Sequence, residues 1–284
     1  MKVIETITEM QQISNEQRKS GKSIALIPTM GYLHDGHCSL IRHGKVLADV
    51  VITTHFVNPT QFAPNEDFEK YPRDFERDCT LAESNGTDYL FHPSVSEMYP
   101  NDFNTEIKVS GISDKFEGKT RPAHFKGVAT VVSKLLNATV PDFALFGQKD
   151  YQQYLVIKQM VSDLNFPVNI ILHPTKREED GLAMSSRNVY LSDEERMNAT
   201  ILFRALSRAK ATIINGELNR QKINSIMADM LITIPGVKID YASAAEANTL
   251  EEPENFNSGQ SIVLLIACRL GKTRLIDNMV VNSK

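Results

Sequence analysis

Residues 24–37, with the sequence IALIPTMGYLHDGH, decide the fold of this chain. The first four are apolar and have the length of a buried strand, whereas the ten that follow carry two histidines and two glycines. Beyond them, the apolar positions that suit the inner face of a helix are Leu40, Ile41, Val46 and Leu47. We therefore expect a strand that turns directly into a helix. Ligands bind at such places in open α/β sheets, and helix N-terminal amides attract phosphate, so the segment predicts a nucleotide site with imidazoles facing the phosphates.

Segments of strand and helix character alternate through the first 175 residues. Further strands are predicted at 49–57, 87–91, 142–146 and 168–172, and further helices at 73–84, 125–137 and 151–164. Strands separated by helical crossovers imply a mostly parallel sheet covered on both faces. The predicted fold class is α/β with a Rossmann-like, mostly parallel sheet, although no GxGxxG fingerprint follows the first strand.

The pattern changes after residue 188. Ser192 and Glu195 fit a capping box that opens a long helix, roughly 193–214. A second helix is predicted at 219–231, followed by strands at 237–242 and 261–268 and a terminal segment at 273–278. We therefore predict two domains. Residues 1–178 form a Rossmann-like catalytic domain, and residues 179–284 form a smaller α+β domain that closes over it as a lid.

Composition narrows the class of protein. The 284 residues are 42% hydrophobic and 23% charged, with a formal net charge of −4 and a pI near 6.0, so nothing attracts nucleic acid or an anionic membrane globally. The longest apolar runs are far shorter than the ~20 residues that span a bilayer, and the N-terminus lacks the pattern of a signal peptide. Cys38, Cys79 and Cys268 are widely spaced and odd in number, which predicts reduced thiols in a cytoplasmic protein.

Two groups of polar residues follow the first two predicted strands. His34 and His37 have a spacing that could bind metal, but no third ligand completes a zinc site, so phosphate binding is favoured over a metal or a purely structural cap. Asn58 and Gln61 bring neutral amides to the same sheet edge. Amides donate and accept hydrogen bonds without a fixed charge, which suits a substrate with hydroxyl and carboxylate groups.

Two further groups lie later in the chain. Lys149 and Asp150 follow the predicted strand 142–146, where lysine can contact a phosphate and aspartate can cap the helix, hold a ribose hydroxyl or bind a metal. Residues 180–188, DGLAMSSRN, place two hydroxyls and an arginine in a loop at the domain junction, which suits an oxyanion and a moving lid. Taken singly, each group could also be an ordinary polar loop, linker or helix start. Together they predict one site.

The chain resembles the pantoate–β-alanine ligase family, within the HxGH nucleotidyltransferase superfamily. The matching segments run in order from 28 to 278: PTMGYLHDGH at 28–37, FVNPTQF at 56–62, YPRD at 71–74, RPAHFKGVATVV at 121–132, FGQKDYQQ at 146–153, REEDGLAMSSRN at 177–188 and TRLIDN at 273–278. The HxGH motif alone indicates only the superfamily, whereas the whole set is specific to this family.

The resemblance implies a two-step reaction. The carboxylate of pantoate attacks the α-phosphorus of MgATP, which gives pantoyl adenylate and diphosphate. The amine of β-alanine then attacks the acyl carbon, which gives pantothenate and AMP. It also implies a homodimer in the cytoplasm, with Mg²⁺ entering with ATP, no tightly bound organic cofactor, and no nucleic-acid or membrane partner.

The resemblance also implies roles for individual residues. His37, as proton donor, His34, Lys149 and Arg187 are the expected catalytic residues. The expected ATP contacts are Met30, Gly31, Tyr32, Leu33, His34, Asp35, Gly36, His37, Gly147, Gln148, Lys149, Asp150, Lys176, Met184, Ser185, Ser186 and Arg187. Gln61 and Gln153 are expected to hold pantoate, and Gln61 also β-alanine.

The same resemblance says more about four positions. Arg121 and His124 match residues that line the same cavity. Asp78 falls near a position implicated in magnesium binding, although the metal ligands themselves stay unassigned. Lys176 stands where the family usually has an apolar residue that contacts ATP through its main chain.

Four alternatives compete with this interpretation. Another small-molecule nucleotidyltransferase would release a nucleotidyl product rather than AMP, and the neutral pair Gln61 and Gln153 argues for a small hydroxy acid instead. A tRNA synthetase is disfavoured by the negative net charge and the lack of an anticodon-binding domain. A non-catalytic nucleotide-binding regulator would not need all four polar groups. A metal hydrolase built on His34 and His37 is the weakest alternative.

Overall fold

The computed structural model describes residues 1–64 and 66–283, and the chain divides into two compact units. The first consists of Met1–Gln148 and Gln152–Pro174, and the second of Lys149–Tyr151 and Thr175–Lys284. Within the described residues, no helix is both long and apolar enough to cross a membrane. Each unit is described by itself.

The first unit is built on a six-stranded, wholly parallel sheet. Its strands are β1 (Lys2–Ile4), β2 (Ile24–Ile27), β3 (Val50–Thr54), β4 (Tyr89–Phe91), β5 (Phe143–Gly147) and β6 (Asn169–His173). Their order across the sheet is β1-β4-β3-β2-β5-β6. Every residue of β2 and β3 is buried, as continuous apolar runs in a doubly covered parallel sheet should be. The predicted α/β class with a Rossmann-like sheet is confirmed.

Helices cover this sheet. They are α1 (Ile7–Lys19), α2 (Asp35–Leu47), α3 (Phe75–Ser84), α4 (Val95–Met98), α5 (Phe116–Thr120), α6 (His124–Thr139) and α7 (Tyr151–Asp163). The sequence analysis missed β1 and α1. A strand of three residues, two of them exposed, is too short to show an alternating pattern.

The strand order places a crevice beside β2. From β2 the chain moves through β3 to β4 on one side, and later through β5 to β6 on the other. In open parallel sheets, ligands bind outside the carboxyl ends of the strands where the order reverses. That point lies between β2, which leads into the histidine motif, and β5, which ends at Gly147.

The second unit is a small α+β unit. It contains helices α8 (Asp193–Ala199), α9 (Ile201–Ile214) and α10 (Arg220–Leu231) and the antiparallel strands β7 (Lys238–Glu246), β8 (Ser261–Leu270) and β9 (Thr273–Asn282), in the order β7-β8-β9. The terminal segment extends to Asn282 because it pairs with β8 along its whole length. The Ser192–Glu195 capping box is present.

The single long helix predicted for 193–214 is wrong. It divides at Thr200, whose backbone N–H donates to the Met197 carbonyl at 3.4 Å and whose hydroxyl donates to the same oxygen at 2.9 Å. Both contacts span three residues, so the regular four-residue pattern of an α-helix is interrupted there. The apolar periodicity continues through the break, which is why the sequence showed one helix.

Helix α6 supports the short helix Pro59–Gln61, which follows β3. Gly127 allows the two backbones to touch, because a Cβ there would overlap the Thr60 carbonyl.

At the start of α6, Nδ1 of His124 lies 3.0 Å from the Gln61 carbonyl. A carbonyl oxygen only accepts, so His124 carries its proton on Nδ1 and donates. Burial, with the Arg121 charge beside it, lowers the pKa of His124 to about 4.

This lowered pKa predicts a specific pH dependence of stability. Because the pKa is about 4 in the folded chain against 6.5 for an ordinary histidine, the unfolded chain binds the extra proton as the pH falls through that interval. Stability is therefore lost between about pH 6.5 and about pH 4. The variant His124→Asn keeps an N–H donor near the Nδ1 position but does not titrate.

We expect the free energy of unfolding of wild type to fall by roughly 2 kcal/mol more than that of His124→Asn between about pH 7 and about pH 4.5. Urea titrations of both proteins at the two pH values measure this difference. Equal losses in the two proteins would contradict it.

Candidate active site

The loop between β2 and α2 ends in a helix cap made by two histidines. Nδ1 of His34 accepts the backbone N–H of Gly36 at 3.1 Å, and Nδ1 of His37 accepts the backbone N–H of His34 at 3.3 Å. The arrangement is a capping box in which imidazoles replace the usual hydroxyl and carboxylate. The two histidines therefore do cap the helix, the structural role that the sequence analysis left open as an alternative.

The cap also determines where each imidazole carries its proton. A ring nitrogen that accepts from a backbone N–H has no hydrogen, so the neutral His34 and His37 are both protonated on Nε2. Their ring centroids lie 4.1 Å apart. Two Nε2–H donors thus project from the first turn of a helix, where the dipole favours an anion. The cap contacts are thus made by Nδ1 of each side chain and not by the Nε2–H donors.

Cys38, the next residue of α2, is a buried thiol. Burial raises its pKa, so it is a poor nucleophile.

Asp78 of α3 lies beneath the loop that carries the motif. Its carboxylate accepts the backbone N–H groups of Tyr32, at 2.5 Å, and Leu33, at 2.7 Å. It also contacts Nε2 of His55 at 3.0 Å and, more weakly, Arg77 at 3.5 Å. The side chain is completely buried. The family resemblance placed this aspartate near a position implicated in magnesium binding, but no local pattern in the sequence indicated that it accepts the backbone N–H groups of the loop.

Gln61 lies next to the motif, 31 residues away in sequence. Its Nε2 donates to Sδ of Met30 at 2.9 Å, and its Oε1 accepts from Nδ2 of Asn58 at 3.2 Å. Asn58 also donates from Nδ2 to the Gly127 carbonyl and accepts on Oδ1 from the Tyr99 hydroxyl. Because a carbonyl can only accept, the Gly127 contact fixes the orientation of the Asn58 amide and, through it, that of Gln61.

Arg121 lies near Gln61 but its charge is already paired. It contacts the Glu66 carboxylate at 2.6 and 2.7 Å and the Gln61 carbonyl at 3.4 Å. Burial of Glu66 alone would raise its pKa, but the hydrogen bond and charge of Arg121 outweigh this and hold the pKa below its ordinary value. Arg121 and Glu66 together thus form a neutral pair that supports the backbone of Gln61.

The two glutamines at the start of α7 have different roles. Gln152 is buried, where its Oε1 accepts from the Glu117 N–H and its Nε2 donates to the carbonyls of Ile112 and Lys115. Its function is to attach residues 112–117 to the helix. Gln153 is half-buried. Gly147 ends β5 with open space where a side chain would be, at the same sheet edge as the motif.

In the second unit, the end of the chain supports Lys149. Nδ2 of Asn278 donates to the Lys149 carbonyl at 2.8 Å, and the neighbouring Asp277 forms a two-pronged pair with Arg177 at 2.7 and 2.9 Å. Burial raises the pKa of Asp277, and the Arg177 guanidinium opposes that effect. Nζ of Lys149 lies 3.9 Å from the Asp150 carboxylate. These contacts join 149–150 to the TRLIDN segment within one unit.

The remaining predicted residues also belong to the second unit. The Met184 N–H donates to the Lys176 carbonyl at 3.0 Å, so the main chain of Lys176 has a structural partner. Ser185 caps the short helix Ser186–Tyr190, where its hydroxyl accepts the Arg187 N–H. Within the residues that the structure describes, no three His, Cys, Asp or Glu side chains form a metal cluster.

The structure thus brings Gln61 into contact with Met30 of the motif in the first unit, and places Gly147 and Gln148 at the same sheet edge. Lys149, Asp150, Lys176 and residues 184–187 lie in the second unit. Asp78, Asn58 and Glu66 support the site from behind, a role that the sequence analysis assigned to none of them.

Comparison with known proteins identifies the family. Residues 2–280 match the family described as pantoate-beta-alanine ligase. The chain is 52% identical to the pantothenate synthetase of Caldicellulosiruptor bescii over the full length of both chains, and 50% identical to that of Thermotoga neapolitana over 99% of each.

Solved structures agree with the sequence match. The pantothenate synthetase of Thermus thermophilus superposes with a TM-score of 0.91 at 41% identity, covering 98% of this chain and 99% of that one. The pantoate-beta-alanine ligase of Francisella tularensis, solved in complex with β-γ ATP and β-alanine, gives a TM-score of 0.81 at 35% identity, covering 99% and 97%. This chain therefore belongs to the pantoate–β-alanine ligase family, as its motifs predicted.

Proposed function

We propose that this protein condenses pantoate with β-alanine at the expense of ATP, through pantoyl adenylate, and releases AMP and diphosphate. The observation that carries the proposal is the pair of Nε2–H donors on His34 and His37, in the same motif whose Met30 contacts the oriented Gln61 amide. Family membership supports the substrates, as does the Francisella tularensis relative solved with a nucleotide and β-alanine.

In the first step, negative charge builds on the oxygens around the α-phosphorus and on the leaving diphosphate. The Nε2–H groups of His34 and His37 can donate to these oxygens without any change in the cap, because the cap uses only Nδ1. Donors fixed in advance at developing charge are worth on the order of 10²–10³ in rate each. His37 is the proposed proton donor, and Lys149 and Arg187 supply positive charge.

Magnesium is proposed to enter as part of the MgATP substrate. Mg²⁺ usually keeps several waters and binds through substrate phosphates and one or two carboxylates. The four donors around the Asp78 carboxylate leave it unsuited to this role. Asp150 is half-exposed and can approach a nucleotide, so it is the better candidate among the proposed ATP residues.

Gln61 is proposed to hold pantoate through its amide N–H. The contact of Oε1 with Asn58 fixes the orientation of the amide, so that Nε2 faces the Met30 sulfur. Nε2 has two hydrogens to donate, and the sulfur is only a weak acceptor for one of them. A carboxylate or hydroxyl oxygen of pantoate is a stronger acceptor. Gln153 is proposed as the second pantoate contact. The same Gln61 amide then lies near the acyl carbon that β-alanine attacks.

The other site residues, the lid and the assembly are also proposed from the family resemblance. The other residues of 30–37, with Gly147, Gln148, Asp150, Lys176 and residues 184–186, are proposed to contact ATP. Residues 179–284 are proposed to act as a lid that protects the adenylate from water, since a mixed anhydride hydrolyses readily. A homodimer and a cytoplasmic location follow from the family alone.

The activity itself gives the first test. With ATP, pantoate and β-alanine all present, we expect AMP and diphosphate to appear in equal amounts together with pantothenate, because the carboxylate attacks the α-phosphorus. Chromatography of the nucleotides and a coupled diphosphate assay measure both products. Reactions that omit pantoate are the control. Release of ADP and phosphate would contradict the adenylate route, and a nucleotidyl product without AMP would favour another nucleotidyltransferase.

Two variants of His37 test the roles of its two ring nitrogens, Nδ1 and Nε2, separately. Asparagine has an oxygen near the position of Nδ1 and keeps the cap, but it lacks a donor at the Nε2 position. Glutamine reaches the Nε2 position with an N–H but does not reproduce the cap. We expect His37→Asn to retain the wild-type melting temperature while kcat falls about 10²–10³-fold, as for loss of one preorganised donor.

His37→Gln should instead lose stability, by about 1 kcal/mol as for other helix caps, and retain more of kcat than the asparagine variant. Thermal melts and steady-state kinetics on both proteins measure the two effects. A His37→Asn enzyme with wild-type kcat and only a raised KM for ATP would make His37 a binding residue.

A further inference from the structure

We propose that Asp78 is a positioning residue for the reaction: its carboxylate fills an anion-binding nest in the loop before the histidine motif and holds His34 and His37 in place. This inference rests on the proposed function, since it concerns the same histidines. It assigns Asp78 a role different from the magnesium contact that the family resemblance suggested. Four observations carry it.

The first observation is the backbone of the loop. Gly31 and Tyr32 have φ of +83° and +47°, so two successive residues are left-handed, although tyrosine strongly disfavours that region. Successive N–H groups in a turn can converge on one point and form a nest for an anion. Here the N–H groups of Tyr32 and Leu33 both point at Asp78. Any contact of these two residues with ATP must therefore use other atoms.

The second observation is the proton on His55. Nδ1 of His92 lies 2.8 Å from the His55 carbonyl, which only accepts, so His92 is protonated on Nδ1. That nitrogen also lies 3.2 Å from Nδ1 of His55, which must therefore be the acceptor. The neutral His55 then carries its proton on Nε2 and donates it to Asp78 at 3.0 Å. Gly31 packs directly on this ring, because a Cβ there would overlap it.

The third observation is that the carboxylate is saturated. Its two oxygens face the N–H groups of Tyr32, Leu33, His55 and Arg77, and a carboxylate has about four acceptor positions. It has no solvent-exposed surface. No position is left for a cation.

The fourth observation joins this clamp to the motif. Arg77 donates from Nη2 to the Leu33 carbonyl at 2.9 Å, and its guanidinium lies over the Tyr32 ring. The peptide between Leu33 and His34 is thus held at both ends: its carbonyl by Arg77 and its N–H by Nδ1 of His37. A shift of the loop would therefore move the imidazole of His37 directly.

The test compares Asp78→Asn with two other variants. Asp78→Asn keeps the shape of the side chain but replaces one acceptor with a donor. Arg77→Gln removes the guanidinium that donates to the Leu33 carbonyl, and the Arg77 side chain is half-exposed. Asp142→Asn is the matched control. The Asp142 carboxylate accepts the Ile24 N–H at 2.8 Å, at the amino end of β2, and pairs with Arg18. The motif follows the carboxyl end of β2, so this control is away from it.

We expect kcat per folded molecule to fall about 100-fold in Asp78→Asn and about ten-fold in Arg77→Gln, as for a reacting group displaced by about 1 Å. KM for ATP should stay within about five-fold and the half-saturating Mg²⁺ concentration within about three-fold, since ground-state contacts with MgATP are retained. Asp142→Asn should melt at a lower temperature with kcat within about two-fold of wild type. The folded fraction is measured by circular dichroism.

Two results would overturn the proposal: a kcat per folded Asp78→Asn molecule within about three-fold of wild type, or a rise of more than about ten-fold in half-saturating Mg²⁺. If Asp78→Asn does not fold, wild-type kcat in Arg77→Gln overturns it. Hydrogen exchange at the Tyr32 and Leu33 amides is independent of activity. These amides should be protected in wild type and exchange faster in Asp78→Asn, even if the proposed reaction itself proves wrong.

Discussion

The buried carboxylate of Asp78 is the interaction on which the site depends. A loop that leaves a buried parallel strand and enters a helix within a few residues must still satisfy its backbone N–H groups. Threonine hydroxyls do part of this: Thr29 N–H donates to the Thr54 hydroxyl, and the Thr29 hydroxyl donates to the Thr54 carbonyl. The left-handed turn that follows has no neighbouring strand to pair with, and Asp78 supplies the acceptors. Without an anion there, that backbone would not be stable in this conformation.

In the side chains of His34, His37 and Gln61, the accepting atom and the donating atom have different partners. Nδ1 of each motif histidine accepts within the protein, and Nε2–H is the proposed donor to the nucleotide. Gln61 follows the same logic, since its Oε1 is held by Asn58 and its Nε2 is the proposed donor to pantoate. In each case a backbone group that can only donate or only accept fixes the orientation. The structure thus determines proton positions without any charge being placed in the site.

Much of this was predictable from the chain and some was not. Buried apolar strands, the strand-to-helix motif and the Ser192–Glu195 box are local patterns, so the sequence showed them. The contact of Asp78 with the loop could not be predicted, although the resemblance named this residue, because its partner Leu33 is 45 residues away. Gln152 and Gln153 are adjacent and chemically identical, and only packing separates the structural one from the proposed ligand. The break at Thr200 was hidden because the apolar spacing continues across it.

The charges around the motif bear on how the proposed first step would be balanced. Arg77 is paired with Asp78, Arg121 with Glu66, and Arg42 with Asp35. In the proposed reaction, the neutral imidazole donors of His34 and His37 orient phosphate groups but compensate little of their charge. ATP carries several negative charges, and charge shifts further toward the diphosphate as it leaves. We propose that the cation bound to ATP and the side chains of Lys149 and Arg187 compensate that charge. The proposed first step thus divides two tasks, because neutral donors select the geometry and separate cations balance the charge.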